Sequence, residues 1–402
     1  MSQSVPLRFP FANPEPLQPP VEWAELRTQC PVAHVALPSS DPAVLVTRYA
    51  DVKQVLSDPR FPRSAAASAR LADTESGGMF NSEMAQTIPS HGDAHQRWRR
   101  LLTKWFTVRR MRALEPRIEA MADQLVDDMI ASGAPADLRD ALGFPLPVWV
   151  ICDMLGVPDS DRDKFAHWSD SMLSLTRYTQ AEMDAAAADF LAYMQGHVEA
   201  KRGRPSDDLL SDLIAAGDAD EGTALSDALL VYTGQGLLVA GHETTANMIG
   251  KMVAMLLADR SRWQAVAADP SLVASTVEES LRFDAHPGLG MMRYLTEELE
   301  VAGQVLPAGT SVMCSMGAAN RDEAVYCEPE RMDLARTPNA HLTFGAGPHS
   351  CVGQALARTE LQVVLRVLLR RLPTLELAVS PAELQPVEGL AVGGFSTVPV
   401  RW

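Results

Sequence analysis

Phe344-Gly345-Ala346-Gly347-Pro348-His349-Ser350-Cys351-Val352-Gly353 is the most informative stretch of this 402-residue chain. Gly345 and Gly347 permit a tight turn, and the periodicity after it predicts a helix from near Val352 to about Arg371. Cys351 then stands where the first amides and the positive dipole end of that helix point. Such a position lowers a thiol pKa and favours the thiolate, the form that ligates metals. On cysteine and glycine alone the plainer choice is a Gly-rich turn around a buried thiol. The complete string and the rest of the chain decide between the two.

Outward from that loop the chain reads as mainly helical with minor β structure. Residues 1–40 read as an irregular, Pro-rich N-terminal segment, followed by a strand at Ala43–Thr47 and a short helix from Asp51 to Leu56. Residues 63–90 read as a long loop or broken helix, a length usually kept for function. Helical periodicity covers His95 to about Ile130 and Asp159 to about Lys201. One very long apolar helix runs from an N-cap at Ser226 to Asp259. A helix over Leu272–Phe283 and a hairpin over Leu299–Met313, turning at Gly303-Gln304, precede the cysteine loop. No repeats and no interdomain linker are visible.

Composition excludes several classes. With 35 Lys+Arg against 51 Asp+Glu the net charge is −16, which argues against coating nucleic acid or an anionic membrane. No signal peptide, anchor or spanning apolar run is legible. Five cysteines, Cys30, Cys152, Cys314, Cys327 and Cys351, an odd count without paired spacing, point to a reduced, cytoplasmic protein. All but Cys351 read as small buried hydrophobes.

The string Phe-Gly-x-Gly-x-His-x-Cys-x-Gly resembles the haem-binding loop of the cytochrome P450 family, in which an axial thiolate promotes O–O cleavage. Four further motifs follow in the family's order. Glu279-Ser-Leu-Arg282 resembles its Glu-x-x-Arg pair, with Arg331 of Pro329-Glu330-Arg331-Met332 expected as the third, structural member. Ala240-Gly241-His242-Glu243-Thr244-Thr245 resembles its oxygen-activation motif. The resemblance implies that Gly241 lets the helix open over the iron, Thr244 hydrogen-bonds the oxygen being reduced, and Glu243 relays protons from solvent. A helix bend with Thr244 back-bonded to the preceding turn is the plainer alternative. His95, Arg99, Arg293 and His349 match the family's contacts to the haem propionates, and Phe344 and Gly353 complete the cofactor loop. Ahead of His95 the chain has His91-Gly92-Asp93-Ala94 where the family usually has Asp-Pro-Pro-Glu.

The resemblance implies a single-domain triangular prism spanning residues 1–402, mainly α with a small β region. It further implies haem b with an axial Cys351 thiolate, and electrons from NAD(P)H through a ferredoxin reductase and an iron–sulfur ferredoxin. By family position the substrate pocket draws on Met79, Phe80, Met84 and Ile88, on Gly236, Val239 and Ala240, on Leu289, Gly290 and Met291, and on Phe395. That apolar lining suits a bulky, largely apolar substrate. Between His95 and Arg117 eight Arg or Lys face one acid, a net +7 in an acidic chain. There Arg100, Lys104 and Arg109, with Arg358 from the later helix, are expected to meet an acidic ferredoxin. The activity expected is insertion of one oxygen atom from O2 into an organic molecule of secondary metabolism, by a monomeric cytoplasmic enzyme. The alternatives are oxidative C–C or C–N coupling, and a non-catalytic haem protein that binds a ligand.

Overall fold

The computed structural model describes residues 6–63, 69–71, 83–161, 164–219 and 225–402. The central helix, Asp227–Ala258, is buried nearly all round, as its continuous apolar sequence requires. At 1.5 Å per residue it spans about 48 Å. Ser226 caps it, its hydroxyl accepting from the Leu229 amide. Helices Pro145–Leu155, Gln180–Gly203, Val273–Phe283 and Gln354–Arg371 pack around it. Gln354–Arg371 also lies along Val108–Ser132, joined by ion pairs of Arg366 with Glu115, Arg370 with Glu119, and Arg371 with Asp123. Most of the apolar core sits among these helices.

A five-stranded sheet forms the minor layer, in the order Leu7–Arg8, Val32–Ala36, Pro42–Val46, Ser311–Cys314, Met291–Tyr294. Alternation divides its side chains between two apolar clusters. Val44, Val46, Val312 and Cys314 enter one, and Ala43, Leu45 and Met313 the other. Residues 1–40 are thus not irregular throughout, since they supply two strands and the helix Val21–Gln29. The expected helix after His95 is two, Gly92–Thr103 and Val108–Ser132, the second capped by Thr107. The stretch after Asp159 likewise breaks into Lys164–Met172 and Gln180–Gly203, with a Thr179–Glu182 capping box. The predicted hairpin closes within Leu299–Val301 and Gln304–Leu306 around Ala302-Gly303, while Ser311–Cys314 leaves it to pair with Pro42–Val46. None of the five cysteines is joined in a disulfide, and Cys327 is exposed rather than a core residue.

Candidate active site

The cysteine loop is held by its own backbone and by three neighbouring elements. The Cys351 amide donates to the Phe344 carbonyl at 2.8 Å, closing the turn. Gly347 has φ +70°, and a Cβ there would come within 2.6 Å of the Ser57 backbone, so the loop packs directly on the helix Tyr49–Ser57. Asn320 accepts from the Leu342 amide at 2.7 Å and donates to the Thr343 hydroxyl at 3.0 Å. Thr343 in turn donates to the Leu281 carbonyl at 2.8 Å, fastening the loop to the helix Val273–Phe283. Phe344 lies under the Arg358 guanidinium, 4.5 Å from its ring centre.

The helix after the loop begins at Gln354, two residues later than its expected start. Cys351 keeps accessible surface, yet the surrounding protein pushes its thiol above the ordinary value; the Gly353 amide, Arg99 and Arg358 act in the opposite sense. Desolvation therefore outweighs the helix-end effect, and the chain alone does not favour the thiolate. Binding of a metal cation would reverse that balance, because a coordinating thiol is deprotonated outright.

The Glu-x-x-Arg pair is fully buried. Arg282 donates to both Glu279 oxygens, at 2.8 and 2.7 Å, and caps the Asn320 and Pro329 carbonyls. The third member is Arg336 and not Arg331. Arg336 Nε lies 3.2 and 3.1 Å from the two Glu279 oxygens, and the Asn339 amide reaches Oε2 at 3.1 Å. Arg331 points outward to an exposed pair with Glu328 and contributes only its carbonyl to Arg282. Local motif spacing selected Arg331, whereas the turn through Asp333 brings Arg336 back beneath Glu279. The Arg-x-x-Asn spacing of Arg336 and Asn339 was the sequence signal available for it.

Four residues expected to face the haem carboxylates do converge. The His95 and His349 ring centres lie 4.3 Å apart. Arg99 donates to the Ser350 carbonyl beside the cysteine, and Trp98 ties the same helix to the central one through Thr233 at 2.9 Å. Arg293 is 2% exposed and its Nε has no partner. Burial lowers both histidines, His349 to about 3. A buried guanidinium nitrogen without an acceptor costs energy unless an anion meets it, so this cationic edge fits the two carboxylates of haem. Among the described residues no cluster of three or more His, Cys, Asp or Glu is placed to hold a metal ion. The donor set is thus one thiol plus a basic rim, as haem iron held by a single side chain requires.

The central helix runs without a break through residues 240–245. Gly241 does not open it. A Cβ there would meet Ile151 at 2.7 Å, so this glycine admits the helix Pro145–Leu155. Ala240 and Thr244 are exposed and Gly236 half-buried, while most of the helix is buried; spaced four apart, they form one accessible stripe. Met84 and Ile88 approach that stripe, 3.9 and 3.6 Å from a Cβ built on Gly236. Thr244 donates to the Ala240 carbonyl at 3.0 Å, the back-bonded arrangement. Glu243 does not face solvent. It is 1% exposed, Oε1 accepts from Asn247 at 2.9 Å, and Arg139 stands 4.0 Å away. Burial raises its pKa against the pull of Arg139 and Asn247, and Oε2 has no hydrogen-bond partner, the nearest basic atom being His242 Nε2 at 3.8 Å. Arg139 and Asn247 were not foreseen, because neither lies within the motif.

The other pocket candidates divide. Met79 and Phe80 lie outside the described residues. Val239 and Phe395 are core, at 1% and 2% exposure, and the Phe395 ring packs edgewise on His286. Leu289 and Gly290 border a cleft of about 480 Å³ shared with Phe9, Trp23 and Leu175. Met291 stays half-buried on the strand that carries Arg293. On the basic segment Arg110 is committed to the Trp105 face at 3.6 Å, and Arg117 to Asp153 at 2.7 Å. Arg358 is bound to Glu278 at 2.7 Å. Arg97, Arg100, Lys104, Arg109 and Arg112 remain exposed.

A family profile described as Cytochrome P450 matches residues 267–385. The mycinamicin IV hydroxylase/epoxidase of Micromonospora griseorubida is 39% identical, over 100% of both chains. The nocardicin C N-oxygenase of Nocardia uniformis subsp. tsuyamanensis is 41% identical, over 98% of each. Among solved structures, SgvP, a putative thioether synthase of griseoviridin tailoring, superposes with a TM-score of 0.93 at 37% identity, over 99% of this chain and 100% of that one. No helix among the described residues is long and apolar enough to cross a membrane. With kinship over its full length and the fold to match, the chain belongs to the cytochrome P450 family of haem-thiolate monooxygenases.

Proposed function

We propose that the chain inserts one oxygen atom from O2 into a bulky, largely apolar natural product, with the Cys351 thiolate as the residue that would hold the haem iron. Bound haem supplies the activation of O2, and electrons arrive from NAD(P)H through a reductase and a ferredoxin. The observation that carries this reading is the accessible stripe of Gly236, Ala240 and Thr244, beside the buried acid Glu243. Met84 and Ile88 cover one end of the stripe with apolar surface, which orients a substrate by contact and excludes water. Because Thr244 spends its proton on the Ala240 carbonyl, its oxygen presents lone pairs and accepts a hydrogen bond from water at the stripe. When protonated, Glu243 offers its proton from Oε2, which no group hydrogen-bonds, and burial raises its pKa above that of an exposed glutamate. Asn247 fixes the other oxygen, so the carboxyl is oriented before each transfer. His95, Arg99, Arg293 and His349 would hold the haem carboxylates. The relatives' names support the substrate class, since two of them act on mycinamicin IV and nocardicin C.

Two substitutions test this. Cys351→Ala should abolish the thiolate-type spectrum of the reduced carbonyl complex, and its retention would refute the ligand assignment. Thr244→Ala should still bind haem and consume NAD(P)H while diverting a larger share of the reducing equivalents to peroxide, because loss of one proton-handling group slows product formation. Unchanged coupling of oxygen to product would remove Thr244 from proton delivery.

A further inference from the structure

The segment ahead of residue 64 brings another cation to the basic rim. The Tyr294 amide donates to the Pro62 carbonyl and the Thr296 amide to the Arg60 carbonyl, each at 3.0 Å. Residues 60–62 therefore run alongside the end of strand Met291–Tyr294, and Phe61 is buried in the same cluster as Leu295. This register sets Arg63 beside Arg293 and within electrostatic range of Arg99, His95 and His349. Arg63 keeps exposed surface, while desolvation of its guanidinium by nearby atoms, then the cations Arg293 and Arg99, lower it to about 10. No described residue offers it a carboxylate. Three guanidiniums and two imidazoles meet with no acid among them, an arrangement that is costly unless anionic charge enters it.

We infer that Arg63 is a third guanidinium ligand for the carboxylate edge of haem, donating from the segment after the helix Tyr49–Ser57. The inference rests on the haem reading above. Arg63 acts by charge-assisted hydrogen bonds, which are roughly twice as strong as neutral ones. It also leaves the rim one cation in excess of the two carboxylates, which favours uptake of an electron by the bound iron.

The test uses the full-length holoprotein, Arg63→Gln and Arg63→Lys. Haem loss to excess apomyoglobin should be about tenfold faster for Arg63→Gln, equal to about 1.4 kcal/mol, and close to wild type for Arg63→Lys. The midpoint potential of Arg63→Gln should move negative, with Lys restoring most of the shift. Reconstitution with haem dimethyl ester separates ligation from folding. Once the carboxylates are blocked, wild type and Arg63→Gln should lose the ester at equal rates. A tenfold difference that persists with the ester would assign Arg63 a purely structural part and overturn the inference. So would unchanged haem loss and potential in Arg63→Gln. Should Arg63→Gln not fold, Arg63→Ala carries the same comparison: it must lose haem about tenfold faster than wild type and the dimethyl ester at an equal rate, or the inference falls. A wild-type chain that retains no haem would instead sink the parent reading.

Discussion

At the scale of single residues, burial decides which charges carry weight. Glu279 is completely enclosed and receives Arg282, Arg336, Asn339 and the Asp333 amide. Removing one cation from such a cluster leaves part of a buried charge uncompensated, a loss of roughly 3–5 kcal/mol. Arg336→Ala should therefore lower the urea midpoint and speed haem release. Arg331→Ala, on an exposed pair, should stay within about 0.5 kcal/mol of wild type. Equal effects would return Arg331 to the cluster. The sequence marked Glu279 and Arg282 correctly, because residues three apart on one helix are neighbours whatever surrounds them. It misassigned the third partner, because the path of residues 331–336 depends on where carbonyls and the Asp333 amide find partners.

At the scale of elements, the central helix is legible from its apolar length and its Ser226 cap, since both are local properties. The duty of Gly241 is not. Motif resemblance assigned it an opening in the helix, whereas an unbroken helix brings it against Ile151. Gly241→Ala gains about 1 kcal/mol of helix propensity but overpacks against Ile151 at a cost of about 1–3 kcal/mol. Net destabilisation of up to about 2 kcal/mol is expected by chemical denaturation. In an Ile151→Ala background the nearest atoms are gone, so the same change should stabilise. A stabilising Gly241→Ala in the wild-type background would show that the helices yield easily and that packing is not its role.

At the scale of the whole molecule, a net charge of −16 coexists with an exposed basic patch. Arg97, Arg100, Lys104, Arg109 and Arg112 stay exposed, while Arg110, Arg117 and Arg358 are committed to Trp105, Asp153 and Glu278. Reversing Arg109 and Arg112 to Glu should slow ferredoxin-supported reduction about tenfold at low salt, and the difference should vanish near 1 M salt, where the screening length is about 3 Å. Reduction by dithionite should be unaffected. Salt-independent rates in both proteins would move the electron-donor surface elsewhere. Each prediction divides the same way between what one dimension and three dimensions determine. The sequence alone determined the cysteine loop, the long apolar helix, the Glu-x-x-Arg pair and the family, because these depend on contiguous residues or on neighbours within one helix. Only the tertiary structure decided that Arg336 replaces Arg331, that Glu243 is buried against Asn247 and Arg139, and that Arg63 joins Arg99 and Arg293. These relations form between elements distant in the chain, and burial there sets which charges are desolvated and which are left to solvent.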